Sequence, residues 1–441
     1  MTQVSKKENS DSRRFSRMQW RVLIATMIGY TLFYFMRKNF SFAMPGLEQD
    51  CGISKSQLGN FLFWGGIIYG LSKFLNGIIG DRVNSRKMLC LGLLACIIVN
   101  ILFGFVPDFT SGSLTIWAFG ILLVVSQFFQ GTGFPPCARL IAHWVPPKEL
   151  ATKMSVWNTS HSIGGGLVAK LCGVIMGLGV LGAANQGVGM WKWCFWAMAI
   201  IGLTGLLVMW FILPGTPEEE GISVPSDDSA SLKVQDIPSP HSSICKDVFL
   251  NPAIWMLGFC NFTINAVRAL VADWGPTMLQ ETKGFSASET GTVIMLFEFA
   301  GIGGMLLSGW MTDRFFGGKA PRLCVILMFL TAVFLVLFYS LVSPALSSIA
   351  LIASGFVLYG PQALTGVSAT NLSSKHLTGT AIGFISLFSY IGVAVSGKLC
   401  GSLVQHSGGW GSAIFTMMAV SVIGGIFFLT LWKMPAYKKQ S

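Results

Sequence analysis

Two arginines stand where an apolar chain should have none. Arg37 follows Gly29-Tyr30-Thr31-Leu32-Phe33-Tyr34-Phe35-Met36, and Arg268 follows Asn261-Phe262-Thr263-Ile264-Asn265-Ala266-Val267, each deep in a run that reads as a membrane span. Arg37 lies sixteen residues past the start of its span near 21. That is a climb of ~24 Å at the α-helical rise, inside a hydrocarbon layer of ~30 Å. A charge at such depth is costly and is a functional candidate by default. A guanidinium offers a planar fork of five donors and keeps its charge when partly desolvated, which suits the oxygens of a phosphate, and two guanidinium groups match a dianion. The expectation is an anion site shared between two halves of a transporter.

The elements that must carry these arginines are membrane helices. The chain is 52% hydrophobic and 11% charged, with a mean hydropathy of +0.63, where a soluble domain is about 25% charged. Hydropathy marks twelve spans, near 21–43, 58–80, 88–106, 115–136, 155–181, 192–213, 252–279, 288–311, 322–342, 346–367, 378–404 and 411–432. An even number returns both termini to one side. Lysine and arginine crowd the termini and the even-numbered connections, with only Lys55, Lys192 and Lys283 in the connections on the other side, so both termini are expected in the cytoplasm. This asymmetry accounts for the net charge of +11 without a nucleic-acid partner. No cleavable signal peptide is seen before the first span. The ten cysteines are scattered through apolar stretches without a C-x-x-C pair or a Cys/His cluster, so neither a disulfide framework nor a metal site is expected.

The chain repeats itself. Arg37 and Arg268 are 231 residues apart, and Asp81-Arg82, after span two, is echoed by Asp313-Arg314, after span eight, at 232. Ala169-Lys170-Leu171-Cys172-Gly173 recurs as Gly397-Lys398-Leu399-Cys400-Gly401 at 228. Three matches at nearly one offset imply two six-helix bundles in tandem, pseudo-symmetric about an axis along the membrane normal, with the substrate site between them near the midplane. The bundles are expected at 21–213 and 251–434, with tails at 1–20 and 435–441. Residues 214–250, acidic and rich in Ser and Pro, read as a flexible cytoplasmic linker.

The loop Gly77-x-x-Gly80-Asp81-Arg82-x-x-x-Arg86-Lys87 resembles the signature of the major facilitator superfamily, which implies an all-α membrane protein of twelve helices. Asp81, Arg82, Asp313 and Arg314 are gating candidates on this ground. Within that superfamily the chain is most similar to the organophosphate:inorganic phosphate antiporters. The residues that carry this are Tyr34-x-x-Arg37-Lys38-Asn39-Phe40, Tyr69-Gly70-x-Ser72-Lys73-Phe74, Gly131-x-Gly133-x-Pro135-Pro136-Cys137-x-Arg139, Trp157-Asn158-x-x-His161-x-x-Gly164-Gly165, Arg268-x-x-x-x-Asp273-Trp274, Glu298-x-Ala300-Gly301 and Tyr359-Gly360-Pro361. The resemblance implies that Arg37 and Arg268 grip a phosphoryl group, that His161 and Lys73 lie close to it, and that Tyr30, Tyr34, Tyr69, Asn158, Tyr359 and Tyr390 line the cavity.

Asp273 and Glu298 would repel an anionic ligand if left unpaired, so they are expected to pair with Lys38, Lys73 or Arg268 when the site is empty. Lys170 and Lys398 are candidates for contact with the variable end of a substrate, with snorkelling to the outer interface as the plainer role. The sequence departs from the family pattern at Ala151-Thr152, at Ser162 and at Asn265, where glycerol-phosphate carriers place a tyrosine. The shorter amide of Asn265 leaves room for a larger polyol.

The resulting expectation is a monomeric inner-membrane antiporter exchanging a sugar phosphate, glucose 6-phosphate above others, for inorganic phosphate. Its rivals are a transporter-like sensor of hexose phosphate and a carrier of glycerol 3-phosphate. No nucleophile-base-acid set or cofactor motif suggests an enzyme.

Overall fold

The computed structural model describes residues 2–80, 83–181, 189–221, 248–372, 378–407 and 409–433. Among them the chain is helical throughout. The first half comprises α1 (Thr2–Cys51), α2 (Lys55–Gly80), α3 (Ser85–Phe109), α4 (Ser113–Gln130), α5 (Phe134–Trp144), α6 (Pro147–Leu181) and α7 (Trp191–Ile212). The second comprises α8 (Pro252–Lys283), α9 (Ala287–Phe315), α10 (Ala320–Ser340), α11 (Pro344–Leu372), α12 (Thr378–His406) and α13 (Trp410–Thr430). Eleven segments are long and apolar enough to cross a membrane. The twelfth crossing is α1, whose apolar run is interrupted by Arg37 and Lys38.

Helix ends follow local chemistry. Asn251 accepts the Ala253 amide before Pro252 opens α8, and Gly284 closes that helix in the left-handed conformation at φ 66°. Ser286 and Glu289 form a reciprocal capping box at the start of α9. The fourth crossing, expected as one helix, is broken between α4 and α5 at Gly131-Thr132-Gly133. A Cβ at Gly131 would fall 2.8 Å from the backbone nitrogen of Lys73, so the break lets α2 pass close and sets the position of Lys73.

The halves share one packing plan. In the first, α1 packs on α6 and α7, α3 on α4 and α7, and α2 on α4; in the second, α8 packs on α12 and α13, α10 on α11 and α13, and α9 on α11. Between halves, α2 packs on α12 and α6 on α9, while α1 touches α8. The close approaches run from Gly59, Gly66 and Gly70 on α2 to Gly397, Ala394 and Tyr390, and from Gly165, Gly173 and Gly177 on α6 to Glu298, Gly291 and Ser288. These contacts gather on the side away from the termini. Toward the terminus side, a Cβ at Gly77, Gly309 or Gly383 would meet nothing within 4 Å among the described residues. The bundles are therefore closed on the far side and parted on the terminus side.

The linker begins as a docked turn rather than a free tether. Trp144 donates its indole proton to the Gly215 carbonyl at 2.8 Å, the Gly215 amide donates to Glu220 at 2.8 Å, and Asn84 donates to Glu219 at 2.8 Å. A hydrogen bond from its own backbone holds the Glu218 carboxyl below the usual carboxylate range, with His143 and Arg139 nearby. Residues 222–247 lie outside the described residues, as do Asp81 and Arg82.

Candidate substrate-binding site

A cavity of about 360 Å³ lies between the halves. From the first half it is lined by Tyr30, Tyr34, Arg37, Lys38 and Ser41 of α1, Tyr69 and Lys73 of α2, Gln127 of α4, Phe134 of α5, and Asn158 and His161 of α6. From the second half come Asn261, Asn265, Arg268 and Asp273 of α8, Gln362 of α11, and Ser386, Ser389 and Tyr390 of α12. Helical spacing explains the α1 set: positions 30, 34, 37 and 41 fall on one face, as do 261, 265, 268 and 272 on α8.

The two arginines share this cavity but not their surroundings. Arg37 lies over the rings of Tyr34 and Tyr69, 5.1 and 4.5 Å from their centroids, and has no ion pair among the described residues. Arg268 is tied down: its Nη2 reaches both carboxylate oxygens of Glu298 at 3.2 and 3.3 Å, and its Nε donates to the Tyr359 hydroxyl at 2.8 Å. Tyr359 in turn donates to Glu298. A Cβ at Gly301 would fall 2.6 Å from Tyr359 Cγ, which is how the ring fits between α9 and α11.

The remaining charges divide likewise. Lys38 of the first half pairs with Asp273 of the second at 2.5 Å. Lys73 pairs with no acid among the described residues; it donates to the Tyr390 hydroxyl at 2.6 Å and stands 4.0 Å from the Phe134 ring centroid. Tyr390 packs edge-on against Tyr69 at 5.0 Å, while Tyr30 rests on Trp157 at 4.7 Å. His161 stacks parallel to Tyr359 at 6.3 Å, and its Nε2 is buried without a hydrogen-bond partner among the described residues. Gln362 Oε1 is equally unpartnered. Buried polar atoms normally find partners, so both atoms, borne by residues of the cavity wall, are open to a ligand. Gly164 and Gly165 make the surroundings of His161 compact: a Cβ on the first would lie 2.7 Å from Tyr34 Cβ, and on the second 3.3 Å from Glu298 Cδ.

A model of the Major Facilitator Superfamily matches residues 26–397. The chain belongs to the Major Facilitator Superfamily. This facilitator is 35% identical to the glycerol-3-phosphate transporter of Bacillus subtilis, over 95% of this chain and 93% of that one. It is also 35% identical to a probable hexose phosphate transport protein of Chlamydia muridarum, over 94% and 91%. It is 34% identical to the membrane sensor protein UhpC of Escherichia coli, over 86% and 84%. These relatives place the facilitator in the organophosphate:inorganic phosphate antiporter branch, in agreement with the motifs. The xylose transporter XylE of E. coli in its inward open conformation superposes with a TM-score of 0.76 at 14% identity, covering 96% of this chain and 98% of that one, which speaks to the fold alone.

Several expected site residues lie elsewhere. Tyr359 does not line the cavity: it is fully buried behind Arg268, because its face of α11 turns toward α9. Glu298, expected as an ion-pair partner and not as a wall residue, stands behind the arginine with which it pairs. Lys170 and Lys398 lie outside the cavity too; both reach sideways to the opposite half, Lys170 to Thr292 at 2.7 Å and Lys398 to the Phe63 ring at 5.3 Å. Asp313 and Arg314 are exposed near the end of α9, away from the site. Conversely, Ser41, Gln127, Asn261, Gln362, Ser386 and Ser389 were not singled out from sequence, although Asn261 is two turns before Arg268 on the same helical face. Arg139 donates to the carbonyls of Gly80 and Val83, the latter at 2.9 Å, tying the middle of α5 to the α2–α3 corner.

Proposed function

We propose that this facilitator exchanges an organophosphate for inorganic phosphate by alternating access, as a multi-pass protein of the inner membrane with both termini in the cytoplasm. The observation that carries this reading is that Arg37 and Arg268, one from each bundle, line a single cavity while, among the described residues, only Arg268 of the two has a carboxylate partner. With Lys38 and Asp273 neutralising each other, Arg37 and Lys73 remain as cations facing rings and hydroxyls. A dianionic phosphate compensates such a site. Glycerol-3-phosphate and hexose phosphate carriers among the relatives support the same class of ligand.

With the cavity empty, repulsion among these cations and the loss of their hydration oppose closure of the two bundles; a bound phosphate relieves both. Exchange is then favoured over uniport. The neutral wall supplied by Asn261, Asn265, Gln362, Ser386 and Ser389 offers donors and acceptors to a polyhydroxylated group, so the preferred organic substrate is a hexose phosphate, glucose 6-phosphate first. Competition against labelled phosphate exchange by glucose 6-phosphate, glycerol 3-phosphate and phosphoglycerate tests this ranking. Glucose 6-phosphate should inhibit at the lowest concentration; a stronger effect of either three-carbon ester reassigns the substrate.

A sensing role is the second reading, favoured by the likeness to UhpC, which is named as a membrane sensor. Binding of glucose 6-phosphate without measurable exchange by the purified protein would select it.

A further inference from the structure

The two pseudo-symmetric lysines outside the cavity stand beside the tightest contacts between the halves. A Cβ at Gly59 of α2 would fall 3.0 Å from the Gly397 carbonyl oxygen and 3.2 Å from Lys398 Cα of α12. A Cβ at Gly401, one turn on, would fall 3.2 Å from Gly59 Cα. The other seam repeats this: a Cβ at Gly291 of α9 would lie 3.1 Å from Gly173 Cα of α6, and one at Gly173 would lie 2.7 Å from the Ala287 carbonyl oxygen. Each seam therefore sets a small residue, a lysine and, a turn later, a glycine against one glycine of the opposite half. The lysine motifs are 228 residues apart and the facing glycines 232 apart, so one device is used twice.

Glycine contacts bring backbones close but interlock no side chains. The lysines supply what is missing. Lys170 Nζ crosses to α9 and donates to Thr292 Oγ1 at 2.7 Å, immediately beside Gly291. Thr292 spends its own proton on the Ser288 carbonyl at 2.9 Å, which leaves its lone pairs to the lysine. Lys398 crosses to α2, its Nζ 5.3 Å from the centroid of Phe63, one turn from Gly59. Snorkelling would carry both ammonium groups toward the membrane surface, not across to the other half.

We infer that Lys170 and Lys398 are seam pins that hold the side away from the termini shut in this conformation and release when that side opens. The pins are unequal. Lys170 is part-buried and hydrogen-bonded, whereas Lys398 is exposed against a ring. The seam of Lys398 is reinforced by Lys55 of α2, paired with Glu281 of α8 at 3.0 Å, whose carboxylate also accepts the Trp410 indole proton at 2.7 Å. Lys170 therefore dominates its seam, and Lys398 shares the work with Lys55.

Gly177 and Ser288 provide the test, because a Cβ at Gly177 would lie 3.3 Å from Ser288 Cβ across the Lys170 seam, near the ~3.8 Å of a disulfide. In substrate-free proteoliposomes, the Gly177→Cys/Ser288→Cys chain should cross-link at a rate set by the fraction of time the seam is shut, with the two single variants giving the background from native thiols. Adding Lys170→Met should slow cross-linking by up to about threefold, the change in the shut-to-open equilibrium that an average interhelical hydrogen bond supports. Thr292→Val, which removes the acceptor without touching a charge, should slow it equally. Lys398→Met alone should act less, and Lys398→Met with Lys55→Met more than either. An unchanged or faster rate in Lys170→Met or in Thr292→Val overturns the inference, as does a slowing by Lys398→Met alone that equals that of Lys170→Met. The readout uses no substrate, so it stands apart from the identity of the transported phosphate.

Discussion

Tyr30, Tyr34, Arg37 and Ser41 on α1 occupy the same helical positions as Asn261, Asn265, Arg268 and Ala272 on α8, 231 residues later, and all eight line one cavity. The first stripe surrounds its arginine with aromatic rings; the second leads to its arginine through amides and hands it to Glu298 and Tyr359. Asn265 is itself held by Asn261, donating to its backbone and side-chain oxygens at 2.9 and 3.0 Å. A duplicated pair of arginines thus sits in two unlike settings within one cavity. Ring faces hold a guanidinium in place without consuming its charge, so Arg37 is ready for a ligand. In the proposed exchange, Arg268 trades a carboxylate for a phosphate, and that trade couples occupancy to motion between α8, α9 and α11.

The largest effect should come from removing the fork. Arg37→Lys and Arg268→Lys should each lower phosphate exchange by at least about 100-fold, since a buried charge left without its bidentate geometry forfeits several kcal/mol. Near-normal exchange in either variant breaks the shared-site reading. Glu298→Gln should make the halves more alike by freeing Arg268: phosphate should bind about tenfold more tightly while turnover falls. Tighter binding with unchanged turnover would show that the carboxylate merely competes.

Asn265→Tyr imposes the first half's residue on the second. It should shift the ratio of glucose 6-phosphate to glycerol 3-phosphate transport efficiency by about tenfold toward the smaller ester. Smallest is the ring beneath Arg37: Tyr69→Leu should weaken phosphate binding about threefold, and Tyr69→Phe should preserve it. Equal losses in the two variants would assign the effect to the hydroxyl.

Much of this comparison is legible in the chain itself. Hydropathy marks the crossings, and the depth of Arg37 and Arg268 with their common offset picks out the site. That Asp273 and Glu298 find partners among Lys38, Lys73 and Arg268 follows from the cost of unpaired charge in an apolar setting, but which cation each takes is set by the packing. Other features depend on facts that periodicity does not carry. Which way Tyr359 turns on α11 is decided by the space left at Gly301 on α9, adjacent in the packing but nearly sixty residues earlier in the chain. The break at Gly131-Thr132-Gly133 is set by the closeness of α2. Lys170 and Lys398 read as snorkelling residues because the partners across each seam, Thr292 and Phe63, are more than a hundred residues distant in sequence.

In the proposed mechanism, an anion must neutralise Arg37 and Arg268 before the bundles can close around the cavity. Uptake of labelled glucose 6-phosphate into proteoliposomes, with and without internal phosphate, tests it most directly. Rapid uptake into phosphate-loaded vesicles and almost none into phosphate-free vesicles is the predicted result. Equal uptake into both would contradict it.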